Sequence, residues 1–245
     1  MANGSDNKSS ATKRFLLKLW KWGKRIFIWF FIAQLFYIVI LKWVNPPITM
    51  TQFVSWVSGH GLKRDYVGRN NISSQAKLAV ISSEDQLFPG HHGFDWKSIK
   101  KAMKYNQRKP GRIHGASTIS QQVAKNVFLW QGRGWIRKGM EVYFTFMIEL
   151  IWGKKRILEM YLNVIEMGEG IFGIEMVSQI YFHTSAKNLT KQEAALIAAC
   201  LPNPKRFNAG SPSAYISGRA GNIMRQMNNL VTDPDIRRVI GMAPP

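Results

Sequence analysis

Residues 26–41 read I-F-I-W-F-F-I-A-Q-L-F-Y-I-V-I-L, sixteen positions without a charge. About 20 residues cross a bilayer as a helix. Trp20, Trp22, Trp43 and Val44 extend the run, and Lys21, Lys24, Arg25 and Lys42 can snorkel at its ends. No small-residue cleavage site follows, so the segment reads as a retained anchor over residues 20–44 rather than a signal peptide. Asn45-Pro46-Pro47 is expected to stop the helix, because proline lacks the amide donor and biases its neighbour away from helix.

Beyond residue 44 the apolar positions recur every three to four residues, which predicts helices. Residues 49–59 form a short amphipathic segment, and Ser73 or Ser74 can cap a helix running to about 83. Trp96, Ile99, Ala102 and Met103 share one face over 96–109, with lysines opposite and Pro110-Gly111 as a break. Ser117 or Thr118 can start a helix to about 127; further helices are expected over 137–152 and 154–163. Thr190 and Glu193 have capping-box spacing and open a helix to about 201. A last helix is expected over 213–230. Alternating strand patterns are scarce, with one small hairpin expected near 60–72. The fold class is mostly α, one domain over residues 45–245.

Charge narrows the partners. Of 34 Lys+Arg and 14 Asp+Glu, residues 1–44 hold eight basic residues and one acid, a net +7, and the remainder carries +13. Both parts favour anionic partners. Basic residues crowd the N-terminal side of the apolar run, which predicts a cytoplasmic N-terminus over residues 1–19 and a folded part outside the cytoplasm. That topology disfavours nucleic acid despite the charge. The lone Cys200 lies in A-A-L-I-A-A-C-L and reads as a small core residue, and no Cys/His cluster has zinc spacing.

Four segments carry the candidate chemistry. The first, E-D-Q-L-F-P-G-H-H-G over 84–93, pairs Glu84 with Asp85. Adjacent acids repel, raising the proton affinity of one, more so when partly buried, and this suits a general base. His91 and His92 read as structural hydrogen-bonding residues. The second, G-A-S-T-I-S-Q-Q-V-A-K-N over 115–126, places Thr118, Gln122 and Lys125 on one helical face beside a helix N-terminus that can receive an anion. In the third, Arg137, Glu141, Thr145 and Glu149 form a polar stripe opposite Val142, Tyr143, Phe146, Met147 and Leu150. The stripe reads either as helix salt bridges or as the lining of a cleft. The fourth, over 154–163, reads alone as a structural amphipathic helix with a basic start.

Together the four segments resemble the peptidoglycan glycosyltransferases of glycosyltransferase family 51, in particular the monofunctional biosynthetic transglycosylases. The family patterns E-D-x-x-F-x-x-H-x-G, G-x-S-T-I-x-x-Q-x-x-K-N, R-K-x-x-E and K-x-x-I-L-E-x-Y-L-N occur in that order at 84–93, 115–126, 137–141 and 154–163. Thr145 departs from the Ala that relatives often carry. The resemblance implies a lysozyme-like, two-lobed, mostly α domain behind one transmembrane helix, in the bacterial inner membrane with its catalytic domain periplasmic. It implies polymerisation of lipid II into β-1,4-linked glycan strands with release of undecaprenyl diphosphate. Glu84 would be the base, Asp85 its tuner, and Glu141 an aid at the donor site, directly or through a divalent cation such as Mg or Mn at the diphosphate. Lys125, Arg133 and Arg137 would clamp the diphosphate, while Ser117, Thr118, Gln122 and Asn126 position substrate. No residue is expected to hold a resident metal. Implied partners are lipid II, the growing glycan strand, membrane lipids, and cell-division or elongation proteins. The alternatives left open are a lytic transglycosylase or lysozyme-like hydrolase, which needs a proton donor but no diphosphate clamp, and a non-enzymatic membrane scaffold.

Overall fold

The apolar N-terminal run folds as a single helix, α1 (Ser5–Ile40), in a computed structural model that describes residues 5–109, 115–132 and 134–243. Its stretch Phe15–Ile40 is long and apolar enough to cross a membrane. At 1.5 Å per residue these 26 residues span about 39 Å, more than a hydrocarbon core of about 30 Å. The helix ends before the prolines. Trp43 N–H turns back to the Ile40 carbonyl, so a tight turn closes α1 ahead of Asn45-Pro46-Pro47. Residues 1–44 form one compact unit and residues 45–245 another.

In the second unit, helices form where capping residues meet apolar periodicity. Thr49 opens α2 (Met50–Val57) with a capping box through Gln52. Ser73 caps α3 (Ser74–Glu84), and Asp95 caps α4 (Trp96–Arg108). Thr118 opens α5 (Ile119–Phe128) with a capping box through Gln121. The next helices are α6 (Trp135–Ile151) and α7 (Lys154–Val164), then α8 (Ile174–Phe182), α9 (Lys191–Cys200), α10 (Ala214–Leu230) and α11 (Pro234–Ile240).

Two helix groups build the core. α3 packs against α9 and α10, and α5 packs against α6 and α7. α3 buries Leu78, Ala79, Val80 and Ile81 in succession, so it is enclosed on all sides. Ala194, Ala195, Ala198 and Ala199 keep α9 narrow enough for close approach. Cys200 is buried there, its thiol pushed up to about 11 by burial, which suits the core role expected of it.

The expected hairpin near 60–72 is replaced by a different pairing. β1 (Lys63–Arg64) runs parallel to β3 (Ile171–Phe172), and β3 pairs antiparallel with β2 (Glu166–Gly168). The hairpin therefore lies at 166–172, around Gly170 at φ +65°, where a Cβ would sit 2.1 Å from the His60 carbonyl oxygen. Strands of two and three residues show no alternation to read. α8 also escapes the sequence reading, since Gly173 at φ +86° supplies its start without a side-chain cap. α11 carries a legible signal, Asp233 as cap and Pro234 in the first turn, but lies beyond the last expected helix.

Candidate active site

Glu84 ends α3 and Asp85 follows it, yet the two carboxylates serve different neighbours. Glu84 accepts a hydrogen bond from Gln122 Nε2 at 2.8 Å and a longer one from Ser83 Oγ at 3.3 Å. Asp85 faces His91, whose Nε2 lies 3.0 Å from both carboxylate oxygens, and accepts the Ile119 N–H at 3.1 Å. Gly93 N–H donates to His91 Nδ1, so the ring proton sits on Nε2 and points at Asp85. Asp85 thus pins the first turn of α5, where a negative charge is favoured by the helix dipole. Burial is the largest influence on Glu84 and raises its pKa above the usual carboxylate value. The Gln122 hydrogen bond, the Arg219 charge and Ser83 oppose that rise, and Asp85 adds the smallest contribution. The sequence reading made repulsion between the two acids the source of the shift; burial outweighs it.

α5 carries the next layer. Thr118 donates to the Gly93 carbonyl at 2.7 Å, locking the loop after α3 to the start of α5. The Gln122 amide is oriented from behind: fully buried Tyr161 on α7 donates to Gln122 Oε1 at 3.3 Å, which directs Nε2 at Glu84. One turn on, Lys125 is half-buried and its pKa is lowered by desolvation, with Glu141 opposing and Arg137 and Lys138 reinforcing the shift. Asn126 points elsewhere. Its Oδ1 accepts from Thr51 Oγ1 at 2.9 Å and its Nδ2 donates to the Gln122 carbonyl at 2.7 Å, which ties α2 to α5. Ser117 is exposed and lines the groove described below. Arg133 lies outside the described residues.

α6 supplies the second cluster. Glu141 is buried, with one oxygen 2.9 Å from Arg137 Nη1 and the other 2.5 Å from Lys138 Nζ. The polar stripe of the sequence therefore faces inward, and the apolar face turns outward: Trp135, Ile136, Val142, Phe146 and Leu150 are all exposed. Thr145 donates to the Glu141 backbone carbonyl at 2.6 Å and does not reach its carboxylate. Glu149 receives Ser120 Oγ at 2.5 Å and Lys154 Nζ at 2.6 Å, and Lys154 sits 4.5 Å from the Phe88 ring centre. The fourth segment, structural on the sequence alone, thus contributes Lys154 and Tyr161 to the support of the site.

Glu84 opens onto a groove of about 1000 Å³ walled by the Ser83–Leu87 turn, α4, the 115–118 segment, Gln122 and α10. Lys125, Arg137 and Lys138 form a separate cation group reached along α5 from Gln122. Among the described residues no group of three His, Cys, Asp or Glu could hold a metal ion, and both Glu141 oxygens are taken by basic side chains. This donor set does not fit a divalent cation held by the protein. Sequence reasoning missed Arg219, Lys138, Tyr161 and Lys154. Lys138 stood in view next to Arg137, whereas Arg219 lies 135 residues after Glu84 with no local signal.

The family model described as Transglycosylase matches residues 50–228. The chain is 47% identical over 212 residues to the biosynthetic peptidoglycan transglycosylase of Pseudomonas putida (strain GB-1), covering 84% of this chain and 89% of that one. It is 49% identical over 226 residues to the protein of the same name from Klebsiella oxytoca, with 89% and 90% covered. The Yersinia pseudotuberculosis serotype O:3 (strain YPIII) counterpart is 47% identical over 227 residues, with 90% and 94% covered. With the paired-acid turn, the capped α5 and the Arg137–Lys138–Glu141 cluster all inside the matched region, the chain belongs to the transglycosylase family.

Proposed function

We propose that this protein is a membrane-anchored peptidoglycan glycosyltransferase that joins lipid II units into β-1,4-linked glycan strands and releases undecaprenyl diphosphate. The observation that carries the reading is the pairing of a half-buried, groove-lining carboxylate with a cation cluster on the same helix support. Glu84 is held by Gln122, and Lys125 stands one turn further along α5 among Arg137 and Lys138.

In the reaction, Glu84 takes the proton from the acceptor's 4-hydroxyl as that oxygen attacks C1 of the donor sugar. The new C1–O bond forms on the face opposite the diphosphate, whose C1–O bond breaks, so an α-linked donor gives a β-linked product. The leaving diphosphate gathers charge. Lys125, Arg137 and Lys138 stabilise it, with arginine offering a bidentate fork. Glu141 keeps Arg137 and Lys138 aimed and offsets their mutual repulsion. Ser117, Thr118 and Gln122 shape the sugar-facing wall, Thr118 by holding the Gly93 loop in place. Arg133 belongs with the clamp on its place in the resemblance. A desolvated carboxyl with raised proton affinity also suits the acid of a hydrolase. The cation cluster favours synthesis, since hydrolysis of a finished glycan expels no diphosphate.

Residues 1–19 lie in the cytoplasm, residues 20–44 span the inner membrane, and residues 45–245 work on the periplasmic side. The outward apolar face of α6 dips into the outer leaflet, where the substrate's lipid tail resides.

The decisive measurement is polymerisation of purified lipid II by the full-length protein. Glu84→Gln lowers turnover by roughly 10²–10⁴, the usual worth of a positioned base, with an unchanged circular dichroism spectrum. Near wild-type turnover would remove Glu84 as the base.

A further inference from the structure

The transfer reaction brings two anionic molecules to one groove. The donor and the acceptor each carry a diphosphate, and each can carry peptide carboxylates. Among the described residues, Lys125, Arg137 and Lys138 are offset by Glu141, which leaves two net positive charges on them, enough for one diphosphate. A second anion at that cluster would meet the first.

A second set of cations lines the groove itself. Arg219 comes from α10, and Lys97 and Lys101 come from α4. None of the three forms an ion pair among the described residues. The carboxylates on the same walls are committed. Asp85 faces His91 and Ile119 N–H, Asp95 caps the Ser98 N–H at 2.9 Å, and Glu84 takes Gln122. Arg219 Nε is buried and has no hydrogen-bond partner. A buried N–H left unpaired has lost its water without gaining a partner, and a substrate oxygen reaching it would supply one. Arg137 Nε in the other cluster shares this property. Each cation group thus contains one arginine with an unpaired, buried donor.

We propose that Arg219, together with Lys97 and Lys101, binds the anionic group of the acceptor molecule, leaving Lys125, Arg137 and Lys138 to the donor. The inference rests on reading the groove as the transfer site. It assigns the two sides of that site to two substrates: the acceptor hydroxyl reaches Glu84 while its phosphate or carboxylate is held by α10 and α4.

The test offers full-length protein one lipid-linked donor and two competing acceptors. One is lipid II. The other is the same disaccharide-peptide as a lipid-tailed alkyl glycoside, which has no phosphate and no leaving group. Arg219→Gln is expected to lower the kcat/KM preference for the diphosphate acceptor by about tenfold or more. Using the preference cancels any effect of Arg219 on Glu84, which slows both acceptors alike. Lys97→Gln/Lys101→Gln is expected to act in the same direction. It sits on a helix with no buried residue, so it reports even where Arg219→Gln misfolds. Repeating both with amidated peptide carboxyls separates the sources: a preference loss that persists identifies the diphosphate, and one that disappears identifies the carboxylates. If both acceptors slow equally in both variants, Arg219 serves only Glu84 or the fold, and the proposal is overturned. Failure of the transfer reading shows differently, as wild-type protein that extends neither acceptor, and failure of the groove as its site shows as polymerisation retained by Glu84→Gln.

Discussion

At the scale of single residues, burial decides what the carboxylates do. Glu84 and Asp85 are neighbours in sequence, but Asp85 lies at φ −162°, an extended residue after the last helical turn, so the two side chains part. One holds loop and helix together; the other faces the groove with its proton affinity raised by desolvation. The native state therefore keeps a proton on Glu84 at pH values where the unfolded chain has released it. Stability falls as pH rises from the ordinary carboxylate range through the raised value, and the penalty is fully present above it. Glu84→Gln is accordingly expected to raise the thermal midpoint at pH 7–8, with the gain vanishing near pH 4; a midpoint unchanged at both pH values would mean Glu84 is not desolvated. The same shift places the acid limb of the kcat/KM profile above the usual carboxylate range. Arg219→Gln moves that limb to still higher pH, because it removes a charge that favours the ionised form. An unmoved limb would separate Arg219 from the base.

At the scale of elements, α6 and the 85–95 loop show how an ordinary helix comes to support a site from behind. Gly93 has φ +85°, and a Cβ there would lie 2.7 Å from Thr145 Cγ2 and 3.1 Å from Glu149 Cγ. This close approach lets the loop rest on α6 while Thr118 holds it from the other side. Gly93→Ala combines a left-handed backbone with a clash. It should cost about 2 kcal/mol or more, roughly a 4–8 °C drop in Tm for a domain of this size. Thr145→Ala in the same chain should return part of the loss, since it removes the methyl in the way. Strictly additive costs in the double mutant would show that the contact is not the cause. Asn163 plays a similar joining role: fully buried, it pairs with both backbone groups of Val67 and with the Glu159 carbonyl, which fastens the 65–67 segment to α7.

At the scale of the molecule, residues 1–44 hold a helix apolar enough to cross a membrane and α6 exposes an apolar face, and the proposed function makes both of them means of meeting lipid. Removal of residues 1–44 should lower liposome binding without abolishing it. A truncated protein that never pellets with vesicles would assign the exposed face of α6 to something other than lipid.

Most helices were legible in the chain, since their caps and apolar spacing are local. Ser73, Thr118, Thr190 and the 3.6-residue period need no partner to act. The paired acids and the basic residues within the four segments were legible too, because residue type limits the chemistry they can do. The tertiary structure alone decided which way each group faces. It turned the polar stripe of α6 inward, committed Asn126 to Thr51, aimed Gln122 through Tyr161, and brought Arg219 from α10 to Glu84. It also paired β1 with β3 rather than with a nearby strand. The reason is physical: propensity and capping act over a few residues, while burial and electrostatics depend on which distant surfaces share one space.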